Sequence, residues 1–270
     1  MDARLQRRIQ RYGWDKAAPL YERFWQAQLG PARDALFALA ALQPGERVLD
    51  VACGTGLVTF PAAAAVGPGG RVLATDISDA MVTHLGAEAA RRGVTHIEVR
   101  RMDAEHLEIE TASFDVALCA LGLMYVPDPV AALMEQRRVL RRGGRAVAVV
   151  WGARSRCGWA DIFPIVDSRV QSEVCPMFFQ LGTGDQLQQT FAAAGFAAVT
   201  ARRVDALLHY ASAEEACGAA FAGGPVALAY SRFDARTREE AHAEYVASIE
   251  PYRRDAAFAI PGEFVVASGT

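Results

Sequence analysis

From residue 46 onward the chain switches repeatedly between two rhythms of apolar and polar positions. Short β-like runs (RVLDVA, RVLATD, HIEVRR, FDVALC and RAVAVVW) are separated by longer stretches with helical spacing. Such alternation predicts βαβ units, in which a parallel sheet is covered by helices on both faces. The punctuation agrees: Ser78 and Asp128 stand at helix N-cap positions and Pro129 at a first helical position. Gly143 and Gly144 are expected to end the helix that Arg141 and Arg142 close. Ahead of this core, residues 2–29 read as helical, with Trp14, Tyr21 and Trp25 on one face. Behind it, residues 152–183 show no clean period, hold Trp159, Phe163, Phe178 and Phe179, and are too long for a plain connection; they read as a cap. A helix over 185–194 stopped by Gly195, strands near 197–210 and a strand-like tail near 263–267 follow. Residues 212–250 read as helical, opened by Ser212 and Glu215 in capping-box spacing.

Length and composition narrow the class. A chain of 270 residues buries about three quarters of its unfolded surface, enough for one large α/β domain or a domain with a cap. No apolar run reaches the roughly 18 residues of a membrane span. The basic N-terminal residues Arg4, Arg7, Arg8 and Arg11 lack a following apolar segment, so a cytoplasmic protein without a leader is expected. Net charge is only -3, with 28 basic and 31 acidic residues well mixed, which favours a small neutral partner over nucleic acid. The cysteines Cys53, Cys119, Cys157, Cys175 and Cys217 are scattered without the spacing of a metal site or disulfide framework. Lys16 is the only lysine, so Schiff-base and phosphate-gripping lysine chemistry is set aside.

The candidate chemistry lies in VLDVACGTG at 48–56. An apolar strand runs into Gly54 and Gly56, where a tight turn lets backbone amides approach a nucleotide-like ligand. Asp76 closes the next strand, where folds of this type hold a ribose by its hydroxyls. Reductases and transferases share that acid, and Asp50 discriminates between them. A carboxylate beside the loop would repel a pyrophosphate by about 1 to 4 kcal/mol at 4 Å, yet would attract an ammonium or a sulfonium. The third glycine of the dinucleotide fingerprint would fall at position 59, which is Thr59. A nicotinamide cofactor is therefore the minority reading.

Taken with these features, residues 46–151 resemble the class I S-adenosylmethionine-dependent methyltransferases, nearest to the ubiquinone- and menaquinone-biosynthesis type. The resemblance implies a Rossmann-like, mostly parallel α/β sheet with an N-terminal helical segment and a cap insertion. It implies that the loop Ala52, Cys53, Gly54, Gly56 wraps the methionine moiety, Asp76 binds the ribose, and Ile77 and Met81 flank the adenine. Asp103 and Ala104, in RMDAEHL, would hold the adenine edge. Cys119 and Ala120, at the end of FDVALCA, would border the methionine and the transferred methyl. Ala52 replaces the family's first loop glycine, and Leu123, Met124 and Tyr125 stand where many relatives carry a histidine. The resulting organisation is 1–45 as N-terminal helices and a candidate cofactor lid, 46–151 as the cofactor-binding core, 152–183 as the cap, and 184–270 as the remainder of the core with C-terminal helices and strand.

The implied reaction is in-line methyl transfer to a small-molecule acceptor, with no metal. Holding nucleophile and methyl in near-attack geometry is worth roughly 7 to 11 kcal/mol, against about 10²- to 10⁴-fold for a general base. Positioning can therefore carry the reaction without a histidine, and no catalytic residue is assigned. Tyr125 and Trp151 are expected in the acceptor pocket wall and Tyr21 in a lid contact. His106 and His209 read more naturally as surface or structural residues, and the arginines of 4–11 as a solvated helix face. Aromatic residues of the cap could be core or substrate wall. The alternatives are a nicotinamide oxidoreductase, a non-catalytic S-adenosylmethionine-binding protein and, through Cys157 and Cys175, an arsenite methyltransferase. A homodimer is compatible with the sequence.

Overall fold

In the computed structural model, residues 2–170 and 178–270 are described. In chain order the elements are α1 (Ala3–Trp25), α2 (Gly30–Ala40), β1 (Arg47–Val51), α3 (Thr59–Val66), β2 (Arg71–Asp76), α4 (Asp79–Arg91), β3 (Ile97–Arg101), β4 (Phe114–Ala120), α5 (Pro129–Val139) and β5 (Leu140–Trp151). They continue with α6 (Ile162–Asp167), α7 (Gln186–Ala193), β6 (Thr200–Tyr210), α8 (Ala213–Cys217), α9 (Ala227–Tyr230), α10 (Ala235–Ile249), β7 (Arg253–Arg254) and β8 (Ala257–Gly269). The strands form one sheet in the order β3-β2-β1-β4-β5-β8-β6, with β7 pairing to β8. Strands β1 to β5 are parallel, whereas β8 runs antiparallel between β5 and β6.

The apolar runs explain this arrangement. Val48, Leu49 and Val51 in β1, Val116 to Cys119 in β4 and Ala146 to Val150 in β5 are all buried, as strands covered on both faces must be. Each Val or Leu so buried is worth about 1.5 to 3 kcal/mol. Helix α2 packs along β4, β5, β8 and β6, while α5 packs on β5 and α7, and α7 on β8 and β6. Connections leave β1 toward β2 on one side, and the chain later returns to place β4 on the other. A crevice therefore opens at the carboxyl ends of β1 and β4, the place where open α/β sheets take ligands.

Several caps stand where the sequence put them. Ser78 Oγ accepts from the Met81 amide at 3.1 Å, and Asp128 Oδ1 from the Ala131 amide at 3.0 Å. Three expectations need correction. Helix α5 stops at Val139 rather than at the glycines, because the amides of Ala112 and Ser113 donate to the carbonyls of Arg138 and Val139 at 3.1 and 2.8 Å. Leu140 already pairs with Phe114, and residues between it and Arg145 form a bulge with Gly143 at φ +81°. The tail is a 13-residue strand, longer than its apolar core. Finally, the stretch 212–250 is three α-helices and a π-helical turn, interrupted at 223–226 and 231–234. Gly223, Gly224 and Pro225 make the first break, which Trp25 Nε1 secures by donating to the Gly223 carbonyl at 3.0 Å.

Candidate active site

The turn after β1 is built from left-handed backbone. Ala52, Gly54 and Gly56 have φ of +57°, +55° and +99°. Glycine adopts this region freely, whereas alanine does so at a cost of roughly 1 to 2 kcal/mol, so Ala52 is held there by its surroundings. Leu121, just past β4, is also left-handed at φ +58°. A Cβ on the next residue, Gly122, would fall 2.5 Å from that of Ala52 and 2.8 Å from Cys119 Sγ. The ends of β1 and β4 thus meet through a contact that only a glycine at 122 permits.

Asp76 ties this turn to the next. Its Oδ2 accepts from the Gly54 amide and its Oδ1 from the Ser78 amide, each at 2.9 Å. Burial raises its pKa, and hydrogen bonds from the Ser78, Gly54 and Ile77 amides oppose that rise. Asp50 lies deeper and is fully buried. Thr59 Oγ1 donates to its Oδ2 at 2.6 Å, but Oδ1 has no partner among the described residues. Burial pushes this carboxyl up to about 7, with the Thr59 hydrogen bond opposing and the nearby Asp76 assisting. The residue that replaces the third fingerprint glycine therefore has a role of its own: Thr59 is the hydrogen-bond donor to the acid of β1.

A cavity of about 1010 Å³, counting its open mouth, runs along the carboxyl ends of the parallel strands. At the β2 and β3 end it is lined by Asp76, Ile77, Met81, Asp103, Ala104 and Glu105. In the middle lie Ala52, Gly54 and Ala120. At the β5 end the wall is Trp25, Tyr125, Trp151, Trp159 and Phe178, closed by Gly224 and Pro225. A side annex, lined by Asp50, Cys53, Ala52, Gly54, Ala120, Tyr21 and Arg33, opens beside the loop. Of the residues singled out in the sequence, Gly56 and Cys119 line neither space. A Cβ at Gly56 would meet Leu85 at 2.5 Å and Phe60 at 2.8 Å, so this glycine serves close packing of the loop on α4. Cys119 is buried beneath the 121–125 turn, its sulfur hydrogen-bonded by the Gly122 and Leu123 amides.

Helix α1 lies over the cavity and is fastened to it. Arg7 Nε approaches Asp103 Oδ2 and Glu105 Oε2, each at 2.8 Å. Arg11 pairs with Asp79, and Asp15 accepts from Ser78 Oγ at 2.6 Å and the Ala80 amide at 3.1 Å. The expectation of a solvated arginine face is thus corrected for Arg7 and Arg11: their partners come from the turns after β2 and β3, which sequence spacing does not reveal. Tyr21 lies against Gly54, 3.9 Å from where a Cβ would sit, and packs edge-on against Trp14.

The β5 end is an aromatic box. Trp151 and Trp159 are 4.8 Å apart, Trp25 and Trp151 6.1 Å, Tyr125 and Phe178 5.5 Å, and Trp159 and Phe178 5.7 Å between centroids. Trp159 and Phe178, from the stretch 152–183, thereby form part of the wall, a choice the sequence left open. His106 and His209 are exposed and line no part of the cavity. Cys175 lies outside the described residues. Burial pushes the thiols of Cys119 and Cys157 up to about 12 and that of Cys53 well above its usual range, so each is a protonated thiol near neutral pH. Among the described residues no group of three His, Cys, Asp or Glu could hold a metal ion, and no helix is long and apolar enough to cross a membrane.

Comparison with known proteins agrees with this architecture. Residues 48–144 match the family model of a methyltransferase domain. The chain is 35% identical over 132 residues to an aklanonic acid methyltransferase of Streptomyces sp. (strain C5), covering 49% of this chain and 60% of that protein. It is 32% identical over 132 residues to a nocamycin O-methyltransferase of Saccharothrix syringae, covering 49% of this chain and 47% of that one. The chain thus spans about half the length of the curated relatives it matches. A crystal structure of a methyltransferase from Bacillus halodurans C-125, itself assigned by inference, shares the fold with a TM-score of 0.59 at 20% identity, over 88% of this chain and 98% of that one. Neither the geometry nor the relatives lend support to a nicotinamide or arsenic enzyme. Residues 48–144 are a methyltransferase domain, set in a Rossmann-like fold.

Proposed function

We propose that the chain transfers the methyl group of S-adenosylmethionine to an oxygen of a small, largely apolar acceptor. The observation that carries this reading is the pairing of two differently furnished spaces at the switch point of the sheet. The annex offers a carboxyl with a buried, unpartnered oxygen (Asp50) together with an arginine (Arg33), complementary to the ammonium and carboxylate of a methionine end. In this reading Ala52, Cys53, Gly54 and Ala120 hold the methionyl chain, with Tyr21 covering it from α1. Asp76, braced by loop amides, holds the ribose hydroxyls; Ile77 and Met81 hold the adenine faces, and Asp103 with the Ala104 amide its edge. S-adenosylmethionine supplies an electrophilic methyl, and the sulfonium leaves as a neutral thioether.

What these side chains do for the reaction is position and exclude water. Among the described residues, the β5 end of the cavity, from Trp25 to Phe178, presents no carboxylate, histidine, lysine or arginine. An acceptor bound there finds no base among those residues, so an oxygen that arrives already ionised suits the site, as a carboxylate, an acidic enol or an acidified phenol does near neutral pH. One relative, named as an O-methyltransferase, supports oxygen as the methylated atom. Orientation alone can then supply roughly 7 to 11 kcal/mol of barrier lowering. We also assign residues 1–45 to the cofactor lid, 46–151 to the cofactor core and the described part of 152–183 to the acceptor wall. Calorimetry with S-adenosylhomocysteine and turnover of methyl-labelled S-adenosylmethionine over a panel of carboxylic acids, enols and phenols test the reading. Micromolar binding with label on an acceptor oxygen is expected. Absence of S-adenosylhomocysteine binding overturns the cofactor site, and binding without transfer to any oxygen overturns the reaction.

A further inference from the structure

Strand β6 is the outer strand of the sheet, and its free edge is bare over a defined length. The Glu263 carbonyl in β8 accepts from the Gly152 amide at 2.6 Å, on the β5 side, and Glu263 stands opposite Asp205. Peptide groups alternate in direction along an antiparallel ladder, so Asp205 and its odd-numbered neighbours turn their N–H and C=O groups away from β8. His209 shows the same alternation: its amide donates to Gln28 Oε1 at 2.8 Å, and its carbonyl accepts from Gln28 Nε2. At the other end Gln188 Nε2 donates to the Val199 carbonyl at 3.4 Å. Between these two capped positions, the outward peptide groups of Ala201, Arg203, Asp205 and Leu207 have no partner among the described residues. Proteins commonly blunt such an edge with proline, lysine or a bulge. The 11 residues of β6 include no proline, lysine or glycine, and their register with β8 runs unbroken from Thr200 to Tyr210.

We propose that this edge pairs antiparallel with the same edge of a second copy of the chain, about a two-fold axis at Val204, so that two sheets become one. Charge selects the axis. At Val204 it sets Arg203 opposite Asp205 of the second copy, twice, and the exposed Leu207 opposite Ala201, with outward peptide groups meeting outward ones. An axis at Arg203 or at Asp205 also matches outward groups, but it sets that residue against its own copy, like charge on like. The caps select the same axis independently, because the bare stretch 201–207 is centred on Val204 and axes further out run the ladder into Val199 or His209. The Arg203 and Asp205 side chains are 39% and 79% exposed, paired with Glu263 at 2.6 Å and Arg156 at 3.2 Å. Pairing would join these ion pairs across the axis. An extended segment of another protein could add to the edge too, but two-fold complementarity about the midpoint is what a second copy supplies. The pairing stands apart from the methyl-transfer reading, since β6 lines neither the cavity nor its annex.

Sedimentation of the full chain over about 1 to 100 µM, the range of ordinary reversible dimers, tests the pairing. A dimer is expected. Asp205→Arg sets like charges across the ladder and should weaken the dimer at least about tenfold. Ala201→Pro removes an outward N–H while sparing the β8 ladder and should weaken it too, with thermal unfolding to show that both variants fold. Val204→Cys places two thiols across the axis in a non-hydrogen-bonded pair, where Cα atoms lie about 4.5 Å apart, within disulfide reach. Mild oxidation should therefore crosslink Val204→Cys, and Leu207→Cys, displaced from the axis, should stay uncrosslinked. This comparison decides the matter even where Asp205→Arg fails to fold. A monomer throughout the range, a dimer indifferent to a folded Asp205→Arg, or crosslinking at position 207 in preference to 204 overturns the proposal.

Discussion

The two ends of the cavity are built on opposite principles. Around β1 to β3 carboxylates stand among apolar residues, and each is already partnered: Asp76 accepts two amides at 2.9 Å, and Asp103 and Glu105 are paired with Arg7. Around β5 the lining is tryptophan, tyrosine and phenylalanine, drawn from α1, the β4–α5 turn, β5 and the segment after it. The first end presents fixed charges and amides suited to one invariant ligand. The second presents shape and apolar area. A common fold can therefore host many acceptors by changing one end of a single cavity.

Four perturbations test how separate these ends are. The largest effect is expected for Trp151→Ala, which removes a buried ring packed against Trp25, Trp159 and Phe264; it should cost about 3 to 5 kcal/mol of stability in urea unfolding. Where folded, this variant should bind S-adenosylhomocysteine within about twofold of the unsubstituted protein. A cofactor loss as large as its stability loss would show that the ends are one unit. Asp76→Ala acts on the other end. Removing a buried acceptor of backbone amides should weaken S-adenosylhomocysteine by at least about 1 to 2 kcal/mol, and unchanged affinity in calorimetry would remove Asp76 from the site.

The third perturbation is pH. Asp50 carries a folded-state pKa of about 7 against an ordinary 3.8, so the ligand-free protein keeps this proton longer than the unfolded chain. Its contribution to stability is therefore full at low pH and is lost as pH rises from about 4 through 7. A cation bound beside Asp50 favours the ionised form. S-adenosylhomocysteine binding should then tighten about tenfold between pH 6 and 8 and release a proton, and Asp50→Asn should flatten that dependence. A profile unaffected by Asp50→Asn would place the ammonium elsewhere. The smallest effect is expected from Arg7→Gln. It breaks a partly exposed pair, so cofactor affinity should fall by only about 0.5 to 1 kcal/mol, with a weaker dependence on salt than the parent protein shows. A loss comparable to that of Asp76→Ala would make α1 an integral wall rather than a fastened cover.

The legibility of the sequence follows the same division. Asp50, Gly54, Asp76 and the Asp103–Ala104 pair lie at strand ends within short, strongly patterned segments, and the structure brings all of them to one cavity or its annex. Gly56 and Cys119 belong to the same segments but face away from it, because a motif fixes the path of the backbone more closely than the direction of each side chain. Arg7 and Arg11 look solvated in the sequence because their partners lie more than sixty positions along the chain. The sequence does not reveal the end of α5 at Val139 for a related reason. Gly143 and Gly144 are helix-ending residues by local preference, but amides from the segment before β4 reach the carbonyls of Arg138 and Val139 first.

By itself the sequence determined the succession of strands and helices, the glycine turn after β1 and the acids that follow it, because these depend on periodicity, left-handed backbone and charge within a few residues. Only the tertiary structure decided which aromatic residues face the cavity, that α1 is latched across it, and that Asp50 Oδ1 and Trp159 Nε1 are buried without partners. Those properties are set by what packs against a side chain from distant parts of the chain, and no local pattern encodes them.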